Sequence, residues 1–307
     1  MFVAMAFCYG QESRFFMPSE LLSAYEAGSR SYTGKPGPNY WQNTVDYTIE
    51  VSVDPTSRKL TGSEKITYYN NSPDDLGQLV IRLYQDVFRE ANPRSFRVNP
   101  DDINEGVAIN RLAVRGEELD LEGNALRRSG TNAYLNLEQP LESGGSIMLE
   151  LDWEAYVPET TVRGGAYDST TYFVSYWYPQ IAVYDDVFGW DRLEYDFSTE
   201  FYNNLANFDV RISAPENFTI LSTGVLQNAG EILNAPMLER YNKARTSDET
   251  ISIISPDDLE SGIQHKSGTW HYKAREVSDF AFCISDVYCW DAAMQPVADR
   301  EVLIHTY

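Results

Sequence analysis

The chain has 307 residues, enough for one large domain or two modest ones. Hydrophobic residues make up 43% of it and charged residues 23%, close to the averages of globular proteins, which argues against a chain that is disordered throughout. Acidic residues outnumber basic ones by 46 to 24, and the formal net charge of −22 repels nucleic-acid phosphates. The composition therefore disfavours nucleic-acid binding.

Residues 1–11 are almost wholly apolar and end in small or polar residues. This run is shorter than the roughly 20 residues that a helix needs to cross a bilayer, so no transmembrane segment is predicted. The pattern indicates a signal-peptide remnant cleaved before Gln11 or Glu12, although a basic leading region is absent. A buried N-terminal strand is the alternative. The signal-peptide interpretation predicts an exported protein, either periplasmic, extracellular or in the cell envelope.

Cysteine usage is compatible with export without establishing it. Cys8 would leave with the signal peptide, so that only Cys283 and Cys289 remain. These two can form a disulfide if their Cα atoms lie within about 7 Å, or they can stay as two thiols. A metal site is disfavoured because no cluster of Cys or His accompanies them.

Residues 12–39 are predicted to form an irregular leader. Within it, residues 18–25 can form one helix with Ser19 as its N-cap. The run of Gly and Pro at 34–38 then interrupts regular structure.

A β domain is predicted over residues 40–299. Val45, Tyr47 and Ile49 alternate with polar residues, a pattern typical of a strand with one buried face. Short strands separated by Gly, Pro, Asn and Asp predict an all-β fold, either an antiparallel β-sandwich or a large curved sheet with few short helices. Further strands are predicted at 58–69, 79–84, 107–114, 131–137, 146–157, 208–214, 218–227, 250–254, 270–274 and 279–285. Residues 300–307 are predicted to form one more strand that leads toward a further domain.

Motifs for catalysis are missing from the sequence. A zinc peptidase needs two imidazoles one helical turn apart and a glutamate base, yet no His-Glu-x-x-His occurs among the 3 histidines. His265 and His271 are six residues apart around a Ser-Gly turn, so we interpret them as surface or edge-strand histidines. Gly-x-Ser-x-Gly, the Walker loop and Gly-x-Gly-x-x-Gly are also absent. No catalytic residue and no metal ligand is therefore assigned.

Acidic pairs and two glycosylation sequons give weaker signals. The pairs at 74–75, 101–102 and 185–186 can suggest calcium, but the EF-hand spacing is absent and paired carboxylates in turns are usually solvated. The sequons begin at Asn70 and Asn217, and this pattern is common by chance.

Aromatic residues concentrate between positions 172 and 190. Such a cluster is typical of a buried strand with a loop held by rings, because aromatic side chains contribute much of a protein core. The alternative is the wall of a pocket that takes a peptide side chain. Eight rings belong to the cluster: Tyr172, Phe173, Tyr176, Trp177, Tyr178, Tyr184, Phe188 and Trp190.

Several segments, in order, resemble the N-terminal domain of the aminopeptidase N-like zinc metallopeptidases (gluzincins), cut before the catalytic domain. The run YWYPQIAVYDDVFGWD at 176–191 is similar to a central strip of that domain, here called the strip. NYWQNTVDYTI at 39–49 with LTGSE at 60–64 resembles the opening strand and hairpin. Other matches are NFDVRI at 207–212, ILSTG at 220–224, WHYKA at 270–274 and VSDFAF at 277–282.

The resemblance implies a saddle-like β domain that packs against a zinc domain of the same protein. Zinc, and the Gly-x-Met-Glu-Asn and His-Glu-x-x-His segments, would belong to that missing catalytic domain, with a peptide as substrate. The family grips the substrate amine with a Gln or Glu ahead of a dipeptide that Tyr178-Pro179 resembles, but residues 170–176 contain neither. Tyr176 and Trp177 are the candidate substrate-binding residues.

Three functions follow from these observations. The first is the non-catalytic N-terminal β domain of an exported zinc metallopeptidase, which scaffolds the zinc domain and walls its substrate entrance. The second is a self-contained secreted β-sandwich that binds peptide or glycan. The third is a catalytically dead relative that serves as an interaction scaffold.

Overall fold

A computed structural model describes residues 17–160 and 162–307 of the chain. Strands dominate this part, and the helices are few and short. The helices are α1 (Ser19–Glu26), α2 (Ala229–Ile232), α3 (Ala235–Ala244) and α4 (Pro256–Glu260), with 3-10 turns at Tyr84–Phe88 and Pro100–Asp102. The strands are β1 (Thr44–Asp54), β2 (Lys59–Tyr69), β3 (Leu76–Arg82), β4 (Ala108–Val114), β5 (Glu117–Glu118), β6 (Leu126–Ser129), β7 (Asn132–Leu141), β8 (Ser146–Tyr156), β9 (Gly165–Ala166), β10 (Tyr172–Val174), β11 (Gln180–Ile181), β12 (Tyr184–Asp185), β13 (Gly189–Trp190), β14 (Ala206–Ser213), β15 (Thr219–Ser222), β16 (Val225–Leu226), β17 (Ile251–Ile254), β18 (Thr269–Val277), β19 (Phe282–Ser285), β20 (Trp290–Val297) and β21 (Arg300–Thr306).

The largest sheet has eight strands in the order β16-β18-β14-β1-β2-β8-β4-β5. Its long strands alternate between buried and exposed residues, so one face is apolar and the other is polar. β1 and β14 run parallel, with Ile49 beside Val210, whereas every other pair in this sheet is antiparallel.

A second layer covers the apolar face of this large sheet. It contains two four-stranded sheets, ordered β15-β19-β10-β9 and β11-β3-β7-β6, and the small hairpin β12-β13. One cluster of buried side chains includes inward residues of the large sheet and of both four-stranded sheets, as a sandwich requires. A three-stranded sheet, β17-β20-β21, contacts helix α3.

The predicted all-β class with antiparallel sheets and few short helices is confirmed. The predicted strand at 300–307 is also found, as β21, and it pairs along its length with β20. The prediction of Ser19 as an N-cap is wrong: Pro18 occupies that position, Ser19 is the first helical residue, and no side chain caps α1. The division at residues 12, 40 and 300 stays a prediction.

The structure tests the prediction for the cysteines but not the prediction of a signal peptide. The signal-peptide interpretation and Cys8 lie outside the described residues. Cys283 is buried on β19 and Cys289 is half-buried, and both are free thiols. Within residues 17–160 and 162–307, no helix is long and apolar enough to cross a membrane.

Candidate functional site

The strip crosses the second layer of the sandwich, and backbone pairing holds it at two places. β10, which leads into it, pairs with β19, and β11 within it pairs with β3. The Tyr47 hydroxyl of β1 also accepts a hydrogen bond from the Ile181 amide, 2.9 Å away. The strip is therefore attached to both layers.

Trp177 lies in the core of the sandwich. Its side chain is 1% exposed, and its indole Nε1 donates a hydrogen bond to the Phe280 carbonyl, 2.9 Å away. The ring packs against Trp153 and Phe282, with centroids 5.7 and 5.3 Å away. The structure therefore places Trp177 among the core residues. Its contact with a substrate stays a prediction.

Tyr176 has a different environment from its neighbour. Its φ of 54° lies in the left-handed region, which is strained for a residue with a large side chain. The ring is half-buried, stacks on Phe201 and meets Tyr84 edge to face. The Gln85 side chain donates a hydrogen bond to the Tyr176 carbonyl at 3.3 Å. Aromatic packing and this bond hold the strained turn, which directs Tyr176 away from the core that holds Trp177.

A cleft opens beside Tyr176, and we call it the Tyr176 cleft. Its cavity volume is about 30 Å³, so it is shallow, and apolar side chains form most of its lining. Large apolar side chains on its rim are exposed: Tyr156 by 42%, Val162 by 38% and Phe173 by 48%. A shallow cleft with an exposed apolar rim is typical of a contact surface rather than of an enclosed ligand pocket.

Polar groups in the Tyr176 cleft are few. The Arg163 guanidinium stands 5.3 Å from the Phe201 ring centroid and donates to the exposed Glu200 carboxylate at 2.7 Å. The Gln85 Oε1 atom is buried and has no hydrogen-bond partner among the described residues. An apolar floor with one cation and one amide can bind and orient a ligand, whereas a nucleophile activated by a base is not found among the described residues that line it.

Gln180 is the nearest glutamine to the strip's Tyr-Pro dipeptide, and it is turned inward. It is 4% exposed, and its Nε2 donates to the Asp279 Oδ1 at 3.0 Å, the same atom that accepts a hydrogen bond from the Tyr178 hydroxyl. Burial raises the pKa of Asp279. Gln180 therefore faces the interior and does not line the Tyr176 cleft.

The far end of the strip is held by a buried arginine. Arg82 of β3 is 3% exposed, and its guanidinium donates to the Asp191 carboxylate and to the Leu193 carbonyl. It also donates to the Asn132 side chain on β7. A single side chain thus ties the strip to two strands, a set of contacts that the sequence pattern did not reveal.

The three histidines lie in three separate environments. The interpretation of His265 as a surface or edge-strand residue is wrong, because it is 2% exposed and shares a hydrogen bond with Thr219. His271 of β18 contacts the Asp209 carboxylate at 2.6 Å, and His305 of β21 accepts a hydrogen bond from the Trp290 indole. In the part of the chain that the structure describes, no three His, Cys, Asp or Glu side chains group as a metal site. These residues do not fit zinc.

Acid should destabilise the fold through His265. Burial lowers the pKa of this imidazole to about 4, against an ordinary value of 6.5, so the folded state excludes a proton that the unfolded chain binds. The stabilisation is complete above pH 6.5 and is lost as the pH falls toward 4. Linkage predicts that this contribution falls by about 2 kcal/mol between pH 7 and pH 5, measurable by urea unfolding as the difference between the unaltered chain and His265→Gln. The buried acids Asp86, Asp279 and Glu64, whose raised pKa values act in the opposite direction, are common to both. His265→Gln should lose this dependence and His271→Gln should keep it; equal slopes in both variants would contradict the assignment.

The acidic pair at 185–186 and the first sequon have structural roles. Asp185 accepts hydrogen bonds from the amides of Val187 and Phe188, and Asp186 forms a salt bridge with Arg30 at 2.8 Å. Asn70 is fully buried and donates to three backbone carbonyls, so the folded chain shields it from modification. Asn217 is exposed.

No family model matches the sequence, and no curated protein is similar to it. Among solved structures, the chain is similar to a variant M1 zinc metallopeptidase from Deinococcus radiodurans bound to a Tyr-Ser-Ala substrate, with 11% identity and a TM-score of 0.46. That match covers 88% of this chain and 49% of the other. A second M1 zinc metallopeptidase structure from the same organism gives 11% identity, 88% and 48% coverage and a TM-score of 0.44. The chain spans about half the length of these structures.

Proposed function

We propose that the chain is the non-catalytic N-terminal β domain of a zinc metallopeptidase. In this role it scaffolds a zinc domain and walls the substrate entrance, while the chemistry belongs to that other domain. The ordered sequence segments between residues 39 and 307 support the family. The all-β sandwich has the fold class that the resemblance implies.

The observation that carries the proposal is the position of the Tyr176 cleft. The strip, which is the longest segment of the resemblance, contributes its first two residues, Tyr176 and Trp177, to the lining of this cleft. Meanwhile, within the described residues no set of side chains fits a metal. The cleft offers apolar contact surface, and the described residues contain no zinc site. This combination suits the wall of a substrate entrance better than an active site.

The proposal extends to peptide hydrolysis by the parent protein, but not to strict aminopeptidase specificity. Segment 170–176 contains no Gln or Glu, and Gln180 is engaged with Asp279 in the interior. Without a side chain that accepts from the α-amino group, preference for a free N-terminus would have to come from elsewhere. The apolar rim suits a peptide with apolar side chains, because contact with water is lost on both surfaces.

The reading frame beyond Tyr307 tests the proposal. It should encode His-Glu-x-x-His, and the full product should hydrolyse peptides. In that product Phe173→Asp, on the cleft rim, should raise KM for apolar peptides at least tenfold, since a charge would be desolvated there. Val225→Asp is the matched control, because Val225 is 64% exposed and lies outside the cleft lining. A stop codon or an unrelated domain would instead favour the self-contained binding module.

A further inference from the structure

Glu64 is a carboxylic acid buried at the centre of the large sheet. It occupies an inward position of β2, in the alternating series with Leu60 and Ile66, and it is 4% exposed. Neither carboxyl oxygen has a hydrogen-bond partner among the described residues. No described Lys, Arg or His forms a salt bridge with it either, and burial raises the pKa of this carboxyl well above its ordinary value.

Apolar side chains and acids surround Glu64. Ile49 of β1 and Leu151 of β8 stand directly opposite it in the sheet. The Trp153 indole lies over Gly62, where an added Cβ would come within 2.3 Å of the ring, and its Nε1 also lacks a partner in the described part of the chain. These neighbours offer no charge that would compensate a carboxylate.

Two groups that would be negative on ionisation respond to a charge on Glu64. Tyr47 projects from β1 and Tyr178 from the strip; burial is the main cause that raises the pKa of each, and a charge on Glu64 raises it further. Asp279, which precedes β19, accepts the Tyr178 hydrogen bond and has a raised pKa because it is buried. An ionised Glu64 would therefore be unpaired, in a medium of low dielectric constant and beside further acids, which is the least favourable setting for a charge.

Tyr47, on the strand that pairs with β2, connects the large sheet to the strip. It meets the Tyr178 ring edge to face at 5.4 Å, and its hydroxyl accepts the hydrogen bond from Ile181. Its ring also stacks on Phe208 of β14, so Tyr47 contacts both layers. A charge at Glu64 would draw water toward this part of the interface between the two layers.

We propose that Glu64 is an uncharged acid at neutral pH and acts as an alkaline switch: its ionisation loosens the contact between the large sheet and the strip. The proton is released to solvent, and no other bond is made or broken. The switch does not depend on the peptidase role. If that role holds, alkali would also alter the Tyr176 cleft, because Tyr176 and Trp177 of the strip line it.

Urea unfolding between pH 6 and 9 tests the switch with Glu64→Gln, which keeps the shape of the side chain and cannot ionise. Between the ordinary pKa of a glutamic acid, about 4.5, and the titration point of Glu64 in the folded chain, the folding equilibrium constant of the unaltered chain should fall by up to tenfold per pH unit relative to Glu64→Gln, and above that point the two curves should become parallel. Glu50→Gln removes a carboxylate from the exposed face of the same sheet and should follow the unaltered chain. Parallel curves for the unaltered chain and Glu64→Gln over the whole range from pH 6 to pH 9 would overturn the proposal.

Hydrogen exchange at the Ile181 amide tests the connection to the strip. After correction for the intrinsic pH dependence of exchange, protection should fall at least tenfold at pH 9 in the unaltered chain and stay constant in Glu64→Gln. If protection is unchanged in both, ionisation of Glu64 does not reach the strip and the switch is refuted. Glu64→Leu, which removes the polar group altogether, should behave as Glu64→Gln does.

Discussion

Replacing Arg82 by methionine should destabilise the fold by about 2–4 kcal/mol, because hydrogen bonds to charged groups contribute about 1.5–3 kcal/mol each and this buried guanidinium donates three. Methionine fills much of the space but donates no hydrogen bond. The Asp191 carboxylate, the Asn132 side chain and the Leu193 carbonyl would each lose their partner. Urea unfolding gives the difference in the free energy of unfolding.

Arg192→Met is the matched control for Arg82→Met, since the same change is made one residue beyond Asp191. Arg192 is exposed, donates to the Gln78 side chain at 3.3 Å and stands 5.8 Å from the Tyr134 ring centroid. Exposed contacts of this kind contribute about 1 kcal/mol or less. Equal losses in the two variants would contradict the role assigned to Arg82.

Trp177→Ala should cost about 3–5 kcal/mol, the range found when a large aromatic side chain is removed from a core. The cavity would open between Trp153 and Phe282, and the Phe280 carbonyl would lose its donor. The stability of Trp177→Phe should lie between those of the unaltered chain and Trp177→Ala, because phenylalanine keeps most of the apolar contact and loses the hydrogen bond, which contributes about 1 kcal/mol. Thermal or urea unfolding measures both variants.

Phe173→Ala is the control for Trp177→Ala. Phe173 is 48% exposed on the rim of the Tyr176 cleft, and its truncation should change stability by about 0.5 kcal/mol or less. If Trp177→Ala leaves stability as unchanged as Phe173→Ala does, Trp177 is not the core residue that its burial indicates.

The strands of the large sheet could be predicted because their side chains alternate over long runs. β1 and β2 each alternate for 11 residues, and their exposed turns contain Asp, Pro, Thr and Ser. The parallel pairing of β1 with β14 could not be predicted, because about 150 residues separate the two strands and alternation carries no information on strand direction. Periodicity is local, whereas pairing is set by the whole fold.

Two elements gave weaker signals. β20 was not predicted, since Asp291, Ala293 and Gln295 give a poor alternation and Pro296 interrupts it. Helix α3 was also missed, although its start is encoded: the Asn234 side chain accepts a hydrogen bond from the Met237 amide, and Pro236 follows within the first turn.

The candidate site was predicted only in outline. The sequence located the aromatic cluster, but not the opposite environments of Tyr176 and Trp177, because the left-handed turn between buried neighbours follows from tertiary packing. His265 gave no sign of burial, as a lone histidine outside a clear strand carries no periodicity. Glu64 did carry a signal: it falls in the inward series of β2, where a charged residue is exceptional.

The most direct test of the account is peptidase activity of the purified 307-residue chain with zinc present. Aminoacyl-anilides and peptides are the substrates, and bound zinc is measured in the same preparation. The account predicts no stoichiometric zinc and no hydrolysis by this chain, with both gained in the product of the extended reading frame. Zinc-dependent hydrolysis by the 307-residue chain alone would contradict it.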